Sequence, residues 1–318
     1  MISWLVPVRD ASTVGEAVAS AVAECAPDHE VVVVDDGSAV PVGSAGCPLP
    51  QDRRVRVLRQ EATGIVAALN RGLAACRGAW IARLDADDVA LGGRIAAQLA
   101  AVRASRAVIG GRAVALGPVG PGMLRHIAWV NGCDPHAELL VEAPVFHPGV
   151  LLRAEAVRAL DGWRDFDGPE DYDLWLRLVA AGWEIHNVPT DVVAVRDRAE
   201  RLTRTDRRYR PEAHRRLKQA WLAPRLPSRV HVWGAGKGGT PWLRWLVERG
   251  VEVPCAFDVH AGGRRHGVPI RAREEVREEE IDVLLVAVGA VGARAEIRAM
   301  LHTWRPDLVE GRDWWAVT

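Results

Sequence analysis

The first third of the chain alternates between two hydrophobic patterns. Strand signals in ISWLVPV (2–8), EVVVVDDGS (30–38), RVRVLR (54–59) and WIARLDADD (80–88) alternate with helix signals, and the strands read as apolar on both faces. Between them lie a helix from about Thr13 and another through TGIVAALNRGLAAC (63–76). This alternation predicts an α/β domain built on a mainly parallel sheet covered by helices. Thr13 and Glu16 have capping-box spacing, which starts the first helix directly after the loop PVRDAS.

Periodicity fades between about Gly117 and Val145, where GPVGPG and GCDPH break it and predict loops and short helices. It returns in HPGVLLRAEAVRAL (147–160), in the helix GPEDYDLWLRLVAAG (168–182) and in a short strand pair around WEIHNV and DVVAVRD. An Arg-rich helix, RPEAHRRLKQAWL, ends at APRLPS, whose two prolines mark a linker. The predicted organisation is a first domain over 1–223, a linker over 224–228 and a small second domain over 229–318.

Composition narrows the possibilities. With 49% hydrophobic residues in 318, each domain can bury a core. Lys+Arg 41 balance Asp+Glu 41, so no global field draws the chain to nucleic acid or to an anionic membrane. The five cysteines are odd in number, widely spaced and without CxxC, which predicts reduced thiols and argues against a disulfide frame or a zinc site. MISWLVPVRD reads as structure and not as a signal peptide, and no run is long enough to span a bilayer. These features predict a cytoplasmic protein that remains free to work at the inner face of a membrane.

Two strands end in carboxylates, VVVV in Asp35 and Asp36, and WIARL in Asp85, with Asp87 and Asp88 close behind. Ligands of open α/β sheets sit outside the carboxyl ends of the strands, so both acidic ends can face one crevice. Asp-x-Asp offers hard oxygen ligands suited to Mg²⁺ or Mn²⁺ and a substrate diphosphate. Asp87 and Asp88 could equally cap the helix through Leu91 and Arg94. In DDGS, an Asx turn with Gly37 at positive φ is the plainer reading. Glu170, Asp171 and Asp173 could likewise populate a favourable first helical turn. For Arg83 and Arg94, which flank the acidic cluster, ordinary salt bridges are expected.

In this order and spacing, PVRD, VVVVDDGS, TGIVAALNRGL, GAWIARLDADD, FHPGVLLR and GPEDYDLWLRL resemble the inverting family 2 glycosyltransferases over about residues 1–210. The resemblance implies the GT-A fold and transfer of one sugar from a nucleoside-diphosphate-sugar, by default a UDP-sugar, to a sugar or lipid-linked acceptor in glycan or cell-surface polysaccharide synthesis. It also implies roles for individual residues. Asp36, Pro7, Arg9 and Gly64 would line the donor nucleotide, and Asp85 and Asp87 would hold a Mg²⁺ or Mn²⁺ diphosphate. Asp171 would act as the general base, assisted by Glu170. His147 falls on the acceptor side of the cleft, and Trp163 is a lid, a sugar platform or core. Two departures stand out: VRDRAERLTRTD puts Asp197 or Arg198 where metal-dependent relatives carry a His, and the QxxRW motif of processive synthases is missing.

The second domain opens with RVHVWGAGKGGTPWLRWL, in which Gly234, Gly236 and Gly239 have GxGxxG spacing between a strand and a helix. Asp258 ends the next strand, where such a fingerprint has its acidic ribose contact. This predicts a small Rossmann-like module. NAD(P) or another nucleotide is one reading of it, and packing or acceptor placement is the other. The competing functions are therefore an NAD(P)-binding sugar-nucleotide oxidoreductase, a nucleotide-binding regulator, and a sensor that binds donor without turnover.

Overall fold

In the computed structural model, which describes residues 1–199, 201–290 and 292–318, contacts gather into two units: 1–135 with 143–214, and 136–142 with 215–318. The first contains β1 (Ile2–Val8), α1 (Val14–Ala23), β2 (Glu30–Asp36), β3 (Val55–Gln60), α2 (Ile65–Ala75), β4 (Trp80–Arg83), β5 (Val89–Ala90), α3 (Arg94–Ala100), β6 (Arg106–Ala115), α4 (Pro121–Gly132), β7 (Leu151–Arg153), α5 (Ala154–Ala159), α6 (Glu170–Ala180), β8 (Glu184–Val195) and α7 (Leu202–Thr205). The division between the units falls within α8 (Pro211–Leu222).

The eight strands of the first unit lie in the order β3-β2-β1-β4-β7-β6-β8-β5. Only β7 and β5 oppose the common direction. This is the α/β, mainly parallel architecture that the sequence predicts. The central strands β1 and β2 are buried at every residue, which is why their text is apolar without alternation.

The sequence reading missed β6, and it took β8 for two short strands. A Cβ at Gly110 would lie 2.2 Å from Asn187 Oδ1, and one at Gly111 would lie 2.5 Å from a Val192 methyl. The glycine pair that disguises β6 as a loop is what lets β8 approach it. Register shifts after Gly111 and Arg112 absorb the extra residues of β8.

Two helix starts also differ from expectation. Thr13 makes no capping bond; its hydroxyl donates instead to the Ala86 carbonyl at 3.0 Å, and Glu16 pairs with Arg196. At α3, Asp87 and Asp88 are not caps, because residues 89–90 form β5 and the helix begins only at Arg94. Its amides at Gly93 and Ile95 donate to the Glu24 carboxylate, at 2.9 and 3.2 Å.

The second unit holds β9 (His231–Trp233), α9 (Thr240–Glu248), β10 (Ala256–Asp258), β11 (Arg264–Arg265), β12 (Val268–Ala272), β13 (Leu284–Val286), α10 (Ala293–Trp304) and β14 (Trp314–Ala316). Its order is β11-β12-β10-β9-β13-β14, parallel except at the β11 edge. With the first strand, β9, at the centre and the strand order reversing beside it, this is a Rossmann-like arrangement. Trp233, Phe257, Leu284, Val286, Ile297 and Leu301 form its core.

Candidate active site

Strand direction assembles the site. Because β1, β2, β4 and β8 run the same way, Asp36, which ends β2, and Arg9, Asp85 and Arg196, which follow the other three, all lie at one edge of the sheet. β7 runs against β4, so the turn that precedes it brings His147 to that same edge.

At the end of β4, Asp85, Asp87 and Asp88 each turn a carboxylate oxygen inward, and these atoms lie within 4.8 Å of one another. Arg83, only 3% exposed, pairs with Asp85 at 2.5 Å. Burial, then the charge of Asp85, raises the pKa of Asp87, whose Oδ2 lies 3.6 Å from Arg198 Nε. Burial, then Asp85 and Asp87, pushes Asp88 up to about 8. Asp88 Oδ1 accepts from the Arg196 amide at 2.9 Å, while Oδ2 is buried without a hydrogen-bond partner among the described residues. Crowded carboxylates with an orphaned oxygen fit a hard divalent cation. Asp88 joins the trio although the sequence reading confined the metal to Asp85 and Asp87. Asp197 is engaged elsewhere, accepting from the Gly120 amide at 2.9 Å and pairing with Arg204 at 2.6 Å.

The first turn of α6 supplies the second acidic group. Asp173 is structural there: it pairs with Arg177 at 2.7 Å, and that guanidinium ties down the carbonyls of Leu160 and Gly162. Asp171 is half-buried, and its Oδ1 accepts from the Tyr172 amide at 2.7 Å. Burial raises its pKa; Arg83 pulls it down and Asp85 pushes it up, so the α6 carboxyl lies within electrostatic reach of the β4 cluster. Glu170 is raised to about 7 by burial and the adjacent Asp171, against a hydrogen bond of 2.7 Å donated by Tyr209.

Of the residues expected to line the donor nucleotide, Pro7 is buried within β1 and Arg9 is exposed just after it. Asp36 accepts from the amides of Thr63 and Gly64, both at 2.9 Å, and from Gln60 at 2.8 Å. Burial acts upward on this carboxyl, but those bonds outweigh it and hold its pKa below the usual value. Gly64, at φ 100 at the head of α2, faces open space. Gly37 has the expected positive φ, 72°, with Asp35 accepting from the Ser38 amide at 2.9 Å.

His147 is held neutral, first by burial and then by Arg83, and its Nε2 is buried without a hydrogen-bond partner among the described residues. Its ring lies 5.9 Å from Trp163 and 5.6 Å from Trp175. Trp163 is 2% exposed and clamped at its backbone by Asn70, which is the position of a core residue and not of an open platform. Arg94 departs from its expected salt bridge. It is fully buried, donates to the carbonyls of Arg83, Pro148 and Val150, and covers Trp4 at 4.9 Å.

In the second unit a Cβ at Gly239 would lie 1.7 Å from the Gly234 carbonyl oxygen, and one at Gly234 would lie 2.7 Å from that of Ala287. The turn therefore closes on itself, while Gly236 faces open space. Asp258 does not project freely: its carboxylate accepts from the amides of Ala235 at 2.7 Å and His260 at 3.0 Å.

Fold and site together define an α/β domain with an acidic cluster at the carboxyl ends of its strands, the usual place for a nucleotide ligand in such sheets. Residues 3–149 match the family model described as glycosyl transferase family 2, and the mixed α/β fold of this domain agrees with the GT-A architecture. The chain is 29% identical over 135 residues to the amylovoran biosynthesis glycosyltransferase AmsE of Erwinia amylovora, covering 42% of this chain and 50% of that one. It is 30% identical over 176 residues to an uncharacterized glycosyltransferase of Haemophilus influenzae, covering 54% and 60%. The chain thus spans only half to three fifths of the length of these two relatives. Among solved structures, the mannosyltransferase PcManGT of Pyrobaculum calidifontis, in complex with GDP-Man and Mn²⁺, aligns at 18% identity and a TM-score of 0.48 over 61% of this chain and 56% of that one. No helix among the described residues is long and apolar enough to cross a membrane.

Proposed function

We propose that this chain transfers a single glycosyl group, with inversion, from a nucleoside-diphosphate-sugar to an acceptor hydroxyl, and that the product is a glycan or cell-surface polysaccharide. A UDP-sugar is the default donor. The observation that carries the reading is the shared field around Arg83: Asp85, Glu170, Asp171 and His147 all couple to this one buried guanidinium. The relatives named for amylovoran and O-antigen biosynthesis support the product class.

Asp85, Asp87 and Asp88 would hold Mg²⁺ or Mn²⁺, which when bound would stabilise the negative charge of the departing diphosphate. The remaining steps belong to the chain. Arg9, Asp36 and Gly64 orient the nucleotide from the ends of β1 and β2 and the head of α2. Asp171 takes the acceptor proton at Oδ2, while the Tyr172 amide fixes Oδ1. Its raised pKa suits that task, because a carboxylate nearer the working pH is a stronger base. Arg83 keeps the carboxyls of α6 and β4 from repelling one another apart. Glu170, held by Tyr209, shapes the acceptor side beside the base. An NAD(P) role for the second unit gains no support from Asp258, whose carboxylate holds its own loop.

A screen of nucleotide-sugars and glycan acceptors, run on wild type and Asp171→Asn with and without Mn²⁺, tests the proposal. Donor-dependent transfer that disappears in the Asn variant supports it. Absence of transfer with every donor, or equal turnover by the two proteins, defeats it.

A further inference from the structure

The second unit contains a polar cluster that the glycosyl-transfer reading does not use. His231 opens the central strand β9 and is 0% exposed. Among the described residues, Nδ1 has no hydrogen-bond partner, and Nε2 faces Glu279 Oε1 across 3.5 Å, long for a hydrogen bond. Cys255 immediately precedes Ala256, which is level with Val232 in the register of β10 on β9. Its thiol is therefore level with the imidazole on the adjoining strand, and it too is buried, at 1% exposure. Glu279 reaches the same point from the segment that follows β12 and keeps some contact with solvent, its side chain 17% exposed. One ligand atom from each residue lies within 4.8 Å of the others.

Such burial needs an explanation. An imidazole in a sheet interior without ordinary hydrogen bonds leaves desolvated polar atoms uncompensated. Phe257, 5.9 Å away, stacks on the ring but offers it no partner. The nearby charges come from several elements. Arg271 pairs with Glu279 Oε2 and with Glu275 and contributes to the Cys255 environment, Arg229 lies 3.8 Å from Glu279 Oε1, and Asp282 adds a negative charge facing His231. The two Glu279 oxygens are thus differentiated: Oε2 is fixed by Arg271, while Oε1 lies nearer to His231, at 3.5 Å, than to Arg229, at 3.8 Å. A carboxylate held by an outer guanidinium through one oxygen and presented through the other is a usual metal-ligand arrangement.

We propose that His231, Cys255 and Glu279 form a binding site for a borderline divalent cation of the zinc class, with water in the fourth position. Nitrogen, sulfur and oxygen donors are the set zinc takes, at about 2.0–2.3 Å. Closing from the present spacing to a tetrahedral shell needs roughly 1 Å of side-chain adjustment. The set is wrong for Mg²⁺, which separates this site from the all-oxygen trio of the first unit. Binding is balanced by loss of the thiol proton: Cys255–SH and the cation give the cation thiolate and one H⁺. Thiolate and carboxylate together neutralise the cation, and the ion ties β9, β10 and the segment after β12 into one knot. The scattered cysteines hid this site, because only one of them takes part.

The test uses the full chain, stripped with chelator and titrated with Co²⁺ as a spectroscopic probe. One equivalent should develop a sulfur-to-cobalt charge-transfer band, release a proton and be displaced by Zn²⁺. Cys255→Ser should abolish the band, the double variant Asp85→Asn/Asp87→Asn should keep it, and Glu279→Gln, which retains thiol and imidazole, should weaken binding at least ~10-fold. If Cys255→Ser does not fold, the Glu279→Gln titration decides. A folded wild type without the band, a band that survives in Cys255→Ser, or unchanged affinity in Glu279→Gln would each overturn the proposal. None of these outcomes depends on glycosyl transfer, so the site and the proposed activity can fail separately.

Discussion

Both units end a strand in an acidic residue beside glycines and a helix, yet they treat the carboxylate in opposite ways. In the second unit, Asp258 is engaged by two backbone amides of its own loop, and Gly239 packs on Gly234. In the first, Asp88 is buried and Asp87 half-buried against Asp85, both with raised pKa values, and one Asp88 oxygen has no hydrogen-bond partner among the described residues. Asp36 stands between these extremes, with the head of α2 wrapped around it. Local sequence grammar therefore marks where a carboxylate sits, but unsatisfied coordination marks where a ligand is needed. By that criterion the β4 end is poised for chemistry and the β10 end serves its own fold.

Paired substitutions should separate the two most sharply. Asp171→Asn should lower turnover by at least ~100-fold, the scale of a general base, with donor affinity and melting temperature nearly unchanged. Asp258→Ala should do the reverse. It strips acceptors from the Ala235 and His260 amides, so about 1–3 kcal/mol of stability should be lost while turnover per folded molecule stays within twofold. Kinetics and denaturant unfolding on the same preparations read both. A catalytic loss in Asp258→Ala as deep as that in Asp171→Asn would erase the contrast.

The pH dependence of stability sharpens it further. Asp88 and Glu170 are raised in the folded state, to about 8 and about 7, whereas both groups titrate near their ordinary values when unfolded. Between about pH 4 and 8 the native state then binds more protons than the unfolded chain, so stability must fall as pH rises through this window. With chelator present, the melting temperature should decline across that range. Asp88→Asn should flatten much of the slope, and Mn²⁺ should restore stability most at the alkaline end, where the carboxylates are free to bind it. A wild-type melting temperature that is flat with chelator would show that the crowding is relieved some other way.

Much of this was legible in the text of the chain, for an identifiable reason. Strands buried on both faces write themselves as continuous apolar runs, so β1, β2 and β4, and the acidic ends of β2 and β4, could be read directly. What escaped depended on tertiary partners. β6 was hidden by Gly110 and Gly111, which exist to admit Asn187 and Val192 from a strand far along the chain. The Thr13 capping box lost to a hydrogen bond with Ala86, and the Asp87–Asp88 cap lost to two residues of β pairing. Arg83 looked like an ordinary flanking charge, because the sequence cannot show that α6 returns to it. Asp88 was read as a helix cap and left out of the metal pair, although its burial is what makes the trio costly without a cation.

Tyr209 escaped for the same reason, since 39 residues separate it from Glu170, and it gives the mildest test. Tyr209→Phe keeps the ring and removes only the hydroxyl that donates to the Glu170 carboxylate. That bond favours the charged form, so its loss should raise the Glu170 pKa further above about 7 and leave the group protonated over more of the neutral range. If Glu170 only shapes the acceptor side, turnover should fall less than ~10-fold, within the ~0.5–1.5 kcal/mol of one hydrogen bond. The pH–rate profile should move toward alkaline pH on its acid limb, while donor binding stays put. A loss as deep as that of Asp171→Asn would give Glu170 a share of the proton transfer. An unshifted profile would leave the Tyr209 contact as packing, and the functional residues of α6 would reduce to Asp171.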